Sequence, residues 1–369
     1  MTRHLQLRLS LLLLLTLAVC APAPAQDTFT GVQRIVAFGD IHGDYNRLVE
    51  LLHTANLIDA QNAWSGGAAH LVLDGDMVDR GPASRKVLDL LMALEEQARR
   101  AGGAVHPLIG NHEAMNIIGD LRYVSKDDWD SYRTPDSKKL LDEAAKAALE
   151  ALNERGTPPP NATSFLKDFE SNHPLGWVEQ RLLFGPTGKY GQWFRRQEAI
   201  IKIDGCVFMH AGIPPKYAAS TREEINKKIH EALEDSDKRA GGIVTTEEGP
   251  LWYRGLLTAP ESQPGLAAHV DQILRTQQAQ HIIVGHSVLP AIIPRFGGKV
   301  IGIDVGLSGF FKGPPEFLTV EGSRFSVVCR GHRLDFPADG GALVPYLRAV
   351  LDVDSENGAL RKLLQTSAR

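Results

Sequence analysis

The sequence predicts an α/β fold in which two β-sheets pack together with helices outside. Three observations predict it. Short β-branched runs recur between residues 35 and 305, and most end in a glycine-containing turn. The first three runs alternate with amphipathic helical segments, the rhythm of a parallel sheet with crossovers. Later runs come as hairpins and as single strands separated by helices, more strands than the first sheet needs.

Residues 35–38 form the first strand, ending at Gly39-Asp40. Asp44 then caps a helix with Leu48, Leu51, Leu52 and Ala55 on one face. Residues 70–73 are the second strand, 87–98 a helix, and 104–109 the third strand, leading to Asn111. The rhythm breaks over an insert at about residues 114–197. Residues 138–154 are an amphipathic helix that stops at Gly156 and Pro158-Pro159-Pro160. Ten aromatics, from Tyr123, Trp129 and Tyr132 to Trp193 and Phe194, lie in the insert. They suit either the core of a small helical subdomain or, in part, the wall of a substrate groove. Residues 199–203 and 206–209 make a hairpin turning at Asp204-Gly205. Ser220 or Thr221, with Glu223 or Glu224, forms a capping box before a charged helix. Residues 266–278 are a further helix, 281–284 and 300–305 strands, and 317–320 with 324–328 a hairpin around Gly322. One or two helices follow from Leu343.

The N-terminus reads as a leader. Arg3, His4 and Arg8 precede an apolar run at residues 9–19, and Ala23-Pro24-Ala25 before Gln26 fits a secretory cleavage site. The run is shorter than the ~20 residues of a spanning helix. Leu17-Ala18-Val19-Cys20 fits a lipobox poorly, because Val19 is bulky where a small residue is usual. The expectation is a signal peptide at residues 1–25, a catalytic domain at 26–340, a helical tail at 341–369, and a periplasmic or secreted product without a transmembrane helix. Removing the leader takes Lys+Arg from 40 to 38 against 44 Asp+Glu, so the net charge becomes -6. That balance excludes the basic surface of a nucleic-acid binder. Cys206 and Cys329 lie in apolar strand-like runs and read as buried thiols; their spacing does not decide on a disulfide.

Five motifs carry the chemistry: Gly39-Asp40-Ile41-His42-Gly43, Gly75-Asp76-Met77-Val78-Asp79-Arg80-Gly81, Gly110-Asn111-His112-Glu113, His210-Ala211-Gly212 and Gly285-His286. Each follows a strand-like run, and strand ends are where α/β folds build sites. Asp40, His42, Asp76, Asn111, His210 and His286 offer carboxylate, amide and imidazole donors suited to two borderline divalent cations. Asp40, His42 and Asp76 would hold one ion. Asp76, Asn111, His210 and His286 would hold the other, with Asp76 bridging. Two other residues compete for these places. His332 follows Arg330-Gly331 in a late hairpin, whereas His286 leaves a buried strand. Asp74 precedes the glycine turn and reads as supporting or exposed.

Planar guanidiniums suit phosphate oxygens. Arg80 is the first candidate, and Arg254 in Trp252-Tyr253-Arg254-Gly255 is the second. His112 is placed to protonate a leaving oxygen, with Asp79 holding its tautomer. Asn111 and His112 would also touch substrate. The expected reaction is in-line attack of a metal-bridging hydroxide on phosphorus. A cysteine-nucleophile route lacks its phosphate loop at both Cys206 and Cys329.

These motifs, with Met209-His210-Ala211-Gly212, Pro250-Leu251-Trp252-Tyr253-Arg254, Val284-Gly285-His286-Ser287 and Ile303-Asp304-Val305-Gly306, resemble the PPP-type metallophosphoesterases, and among them most the Shewanella-like protein phosphatase branch. The resemblance covers residue 34 to about residue 320 and implies a calcineurin-like αββα sandwich. It implies two divalent ions (manganese, iron or zinc) and phosphoprotein or phosphopeptide substrates, with phosphotyrosine favoured in some members. Ala211 replaces the second residue of a His-Gly-Gly triplet, Val284 replaces an arginine, and no tyrosine follows Ile303-Asp304. Those departures speak against a strict Ser/Thr phosphatase. A dinucleoside-polyphosphate hydrolase or other small-molecule phosphoesterase is the alternative, and Asp79-Arg80 beside the metals favours monoesters over diesters. A metal-bearing binding protein would need a missing catalytic group, and none is missing. Oligomeric state is not legible.

Overall fold

The computed structural model describes residues 26–367. The leader expected at residues 1–25 lies outside the described residues. The strands are β1 (Thr28–Phe29), β2 (Arg34–Phe38), β3 (His70–Leu73), β4 (Ala104–Pro107), β5 (Ile200–Ile203), β6 (Cys206–Met209), β7 (His281–Val284), β8 (Ile293–Arg295), β9 (Val300–Gly302), β10 (Glu316–Glu321), β11 (Arg324–Cys329) and β12 (His332–Asp335). They form two six-stranded mixed sheets in the orders β12-β11-β10-β2-β3-β4 and β1-β5-β6-β7-β9-β8. Side chains of both sheets and of the covering helices belong to one hydrophobic core.

The topology sets where the functional ends fall. β2, β3 and β4 are parallel neighbours, with Phe38 opposite Leu73 and Leu73 opposite Pro107. Their C-terminal ends therefore lie side by side. β6 and β7 are parallel too, with Met209 opposite Val284. The strands are buried on almost every residue, as expected for sheets covered on both faces.

Local signals match the helices. Asp44 accepts the amide of Arg47 at 3.0 Å and starts the helix Tyr45–Thr54, which buries Leu48, Leu51 and Leu52. Thr221 and Glu224 form the capping box of Arg222–Glu234. β5 and β6 are antiparallel around Asp204, whose φ is 49°. β9 ends at Gly302, short of residues 303–305, although Ile303 still gives its amide to Val284 O at 2.8 Å. The short strands β1, β8 and β12 carry no pattern strong enough to be expected. Cys206 and Cys329 are buried and unpaired. Among the described residues no helix is long and apolar enough to cross a membrane.

The insert is helical, with Lys126–Tyr132, Ser137–Glu154, Ala162–Asn172, Trp177–Phe184 and Lys189–Phe194 in turn. Phe165, Phe169 and Trp177 cluster with His173 within the insert, but half of its aromatics pack elsewhere. Tyr132, Phe184, Tyr190, Trp193 and Phe194 belong to the common core, and Trp193 donates its indole N–H to Glu95 at 2.6 Å.

The C-terminal helices Leu343–Val353 and Gly358–Ser367 dock on the strand ends, where the Tyr346 hydroxyl donates to Ile292 O at 2.9 Å. Beneath them lies Glu316, whose Oε1 accepts the Ile292 amide at 2.8 Å. Burial pushes the Glu316 carboxyl up to about 7. The folded value lies above the unfolded one, so the folded chain holds a proton that the unfolded chain releases. The associated stability is complete below about pH 4.5 and is lost as pH rises through about 7. It amounts to ~3 kcal/mol by order of magnitude. Glu316→Gln should therefore gain in melting temperature relative to the parent as pH rises from 5 to 8. Parallel melting curves across that range would count against the account.

Candidate active site

Asp40, Asp76 and Asn111 follow β2, β3 and β4 in one sheet, and His210 and His286 follow β6 and β7 in the other. The two sets meet across the seam between the sheets. Asp40, His42, Asp76, Asn111, His210 and His286 are all buried. Asp76 is central. Its Oδ1 lies 3.3 Å from His210 Nε2, and its Oδ2 lies 3.8 Å from His42 Nε2 and 3.7 Å from His112 Nε2. One carboxylate thus turns an oxygen to each half of the cluster.

The atoms that converge are acceptors. His210 Nδ1 donates to Asp74 O at 2.8 Å, which leaves a lone pair on Nε2. That lone pair faces Asn111 Oδ1 at 2.8 Å and His286 Nδ1 at 3.0 Å. His42 Nδ1 likewise donates to Val78 O at 3.1 Å, so its Nε2 points bare at Asp40 and Asp76. An imidazole tied at the back to a carbonyl, with its front lone pair among oxygens, is the usual arrangement of a metal ligand. Lone pairs packed this closely repel unless a cation sits among them, so the donor set fits divalent ions. The ligand atoms of Asp76, His210 and His286 lie within 4.8 Å of one another, as do those of His42, Asp76 and His112. The second trio has His112 where the sequence expected Asp40. Asp40 Oδ1 is turned away to accept the His286 amide at 3.2 Å, while its Oδ2 stays 3.8 Å from His42 Nε2.

The charges respond to this crowding. Burial, with Asp304 and Asp76 close by, pushes Asp40 well above the carboxylate range. Burial opposes ionisation of Asp76 as well, but His210 and His112 beside it hold its carboxyl well below that range. His42 is pushed by burial down to about 3. Burial would also depress His210, yet Asp76 carries it above its ordinary value. A proton and a metal ion compete for that same lone pair.

Backbone strain is concentrated in these loops. His42, Asp76, Asp79, Arg80 and His286 all have φ between 46° and 69°. Each costs on the order of 1 kcal/mol. Glycines allow the close approach: a Cβ at Gly110 would lie 2.5 Å from Asp76 Oδ1, and one at Gly285 would lie 2.7 Å from Asp40 Oδ1.

The model of the calcineurin-like phosphoesterase family matches residues 33–333, a span that contains both sheets' site loops. The chain belongs to the calcineurin-like phosphoesterases. An uncharacterised protein of Schizosaccharomyces pombe is 30% identical over 78% of this chain and 76% of its own length. Shewanella-like protein phosphatase 2 of Arabidopsis thaliana is 28% identical over 80% of this chain and 77% of its own. The crystal structure of a cold-active protein-tyrosine phosphatase from a psychrophilic Shewanella species superposes with a TM-score of 0.64 at 28% identity. It covers 85% of this chain and 82% of that one.

In this phosphoesterase a second group of side chains stands beside the acceptor cluster. His112 Nδ1 donates to Asp79 Oδ2 at 2.6 Å, and its Nε2 lies 3.3 Å from an Arg80 nitrogen. Burial would lower His112, but Asp76 and then Asp79 carry it above the ordinary imidazole value. Arg80 is ringed by aromatics, its Cζ being 4.9 Å from the Phe311 ring centre, 5.2 Å from Tyr123 and 5.5 Å from Phe310. Arg254 also reaches the site, although one of its nitrogens is engaged with His286 O at 2.7 Å and Ser287 Oγ at 3.2 Å.

His332 is exposed on β12 and takes no part in the cluster. Asp74 is fully buried, so the exposed alternative for it fails; its carbonyl holds His210. Several site residues of the phosphoesterase are given no role by the five motifs alone. Glu113 accepts the amides of Gly110 (2.9 Å), Asp76 (2.8 Å) and Met77 (2.8 Å), tying two site loops together. Its place as N3 of a helix beginning at Asn111 is the one available signal. Phe310 and Phe311 sit in the loop after β9, where nothing in the sequence points to a site. Asn116 lies one helical turn after His112, a spacing that marks it as a neighbour.

Proposed function

We propose that this chain is a metal-dependent phosphomonoesterase acting on phosphorylated proteins or peptides, with a preference for phosphotyrosine. The Asp79–His112–Arg80 group set against the Asp76-centred donor cluster carries the proposal. Relatives named as protein phosphatases, and a similar structure named as a protein-tyrosine phosphatase, support it. Asp40, His42, Asp76, Asn111, His210 and His286 would hold two divalent cations. When bound, these would neutralise part of the phosphate charge and make a water more acidic. Arg80 and Arg254 bind and orient the phosphate oxygens. Water adds to phosphorus opposite the departing oxygen, the P–O ester bond breaks, and His112 Nε2 gives its proton to that oxygen; one proton of the water is released to solvent, and His112 takes one back before the next turnover. Asp79 accepts from His112 Nδ1 and favours the charged ring, the form in which Nε2 also carries a proton to give to the leaving group.

The aromatic rim supports the aryl preference. Phe310 is 60% exposed and Tyr123 38%, large apolar surface to leave facing water beside Arg80. A phosphotyrosine ring, one bond from the bound phosphate, would cover it. An aromatic contact is worth about 1 kcal/mol. Phe310→Ala should therefore raise KM for a phosphotyrosine peptide about fivefold, with kcat and KM for a phosphoserine peptide nearly unchanged. Equal effects on both peptides would remove Phe310 from specificity.

A panel of phosphotyrosine, phosphoserine and phosphothreonine peptides and dinucleoside tetraphosphate, each with added manganese, iron or zinc, tests the whole reading. Fastest cleavage of the dinucleotide would replace the phosphoprotein reading with the small-molecule one. We also propose export, motivated by the leader-like residues 1–25. Sequencing the N-terminus of the protein from its native host should find Gln26 first; an intact Met1 would refute export by cleavage.

A further inference from the structure

The helical insert reaches the catalytic group through a line of buried hydrogen bonds that the proposed reaction does not use. Asp79 has one side-chain donor on each oxygen: His112 Nδ1 on Oδ2 at 2.6 Å and Asn116 Nδ2 on Oδ1 at 2.9 Å. The same Asn116 nitrogen donates to His112 O at 2.9 Å, so both of its hydrogens are used. Asn116 Oδ1 accepts from Gln180 Nε2 at 2.6 Å. Gln180 stands in the insert helix Trp177–Phe184, and its neighbour Arg181 donates to Asn116 O at 2.6 Å. Asp79, His112, Asn116 and Gln180 are each no more than 2% exposed.

We propose that Asn116 and Gln180 are positioning residues. The insert, through them, fixes the plane of the Asp79 carboxylate and with it the ring of His112. The inference rests on His112 acting as general acid in the proposed phosphatase reaction. A carboxylate held at one oxygen can rotate about its last bond; held at both, it cannot. Gln180 removes the remaining freedom. Flipping the Asn116 amide would turn its oxygen onto the Asp79 carboxylate and the His112 carbonyl, and would leave Gln180 Nε2 facing a donor. A purely structural role accounts poorly for Gln180. Its Oε1 is buried without a partner among the described residues, and such an amide is less stable there than an apolar side chain of the same size. The insert therefore works from behind the site.

Gln180→Met separates the two roles. Its melting temperature should equal or exceed that of the parent. KM should stay within about twofold, while kcat falls about tenfold for alkyl and phenyl phosphates, whose leaving oxygens need a proton. For p-nitrophenyl phosphate, a good leaving group, kcat should change less than about twofold. In the metal-free protein, the downfield proton signal of His112 Nδ1, assigned by its absence in His112→Ala, should shift or broaden in Gln180→Met and in Asn116→Leu. An equal loss for all leaving groups, or no loss, overturns the proposal. If the parent cleaves no phosphomonoester, the phosphatase reading has failed and the proton signal decides alone. A signal unchanged in Gln180→Met then overturns the proposal.

Discussion

His112→Ala should lower kcat on a phosphotyrosine peptide by ~10²–10⁴-fold, the range of a lost general acid, and leave KM nearly unchanged. The reason lies in where its two nitrogens point. Nδ1 is committed to Asp79 at 2.6 Å, so only Nε2 can serve a substrate, and Nε2 faces Arg80 at 3.3 Å and Asp76 at 3.7 Å. That edge is where a phosphate bound to Arg80 would present its ester oxygen. The variant should lose far less on p-nitrophenyl phosphate, which departs without a proton. A pH signature accompanies this. His112 sits above the usual imidazole value, so it keeps its proton to higher pH than a free imidazole does. A general acid works only while protonated. The kcat of the parent on the peptide should therefore fall as pH rises through that region, and the alkaline limb should be absent from the variant. Steady-state kinetics between pH 6 and 10 would show it. A variant that keeps both the limb and the rate would assign the proton to another group.

Most of the site is legible because its ligands are attached to strong local signals. Asp40, Asp76, His210 and His286 each lie one or two residues beyond, or just past a glycine turn after, a β-branched run, and parallel pairing brings those run ends together. The sequence also separates His286 from His332. The first leaves a central strand, and the second lies on an edge strand with its side chain in water. What depends on side-chain direction is not legible in this way. His112 stands beside His42 and Asp76 in one trio of donor atoms, and one Asp40 oxygen accepts the His286 amide.

The insert shows the other limit. Its aromatic content reads as a private core or a groove wall. The structure places five of those ten rings in the common core and gives only Tyr123 to the site. The contacts that tie the insert to Asp79 are polar and long-range, Asn116 to Gln180 spanning 64 residues. No periodicity reports a pairing of that kind. The same holds for Phe310 and Phe311, which reach Arg80 from a loop more than 200 residues away in sequence.

Asp76→Asn should have the second large effect. The protein should bind fewer than two metal ions, and kcat should fall by at least ~10³-fold, since a lost metal ion forfeits several kcal/mol of transition-state stabilisation. Asparagine suits the backbone, because Asp76 has φ 49° and asparagine tolerates that region as aspartate does. The loss would thus report charge and lone pairs rather than misfolding. One amide cannot present an anionic oxygen to His210 on one side and to His42 and His112 on the other, as Asp76 does at 3.3, 3.8 and 3.7 Å. Metal analysis and melting curves with and without chelator check this independently of turnover. The parent should melt higher with metal than with chelator, by mass action on the folded state, and the variant should lose most of that difference. Retention of two ions per chain in Asp76→Asn would mean that Asp76 does not bridge. The donor cluster would then be two separate sites, each complete without a shared carboxylate.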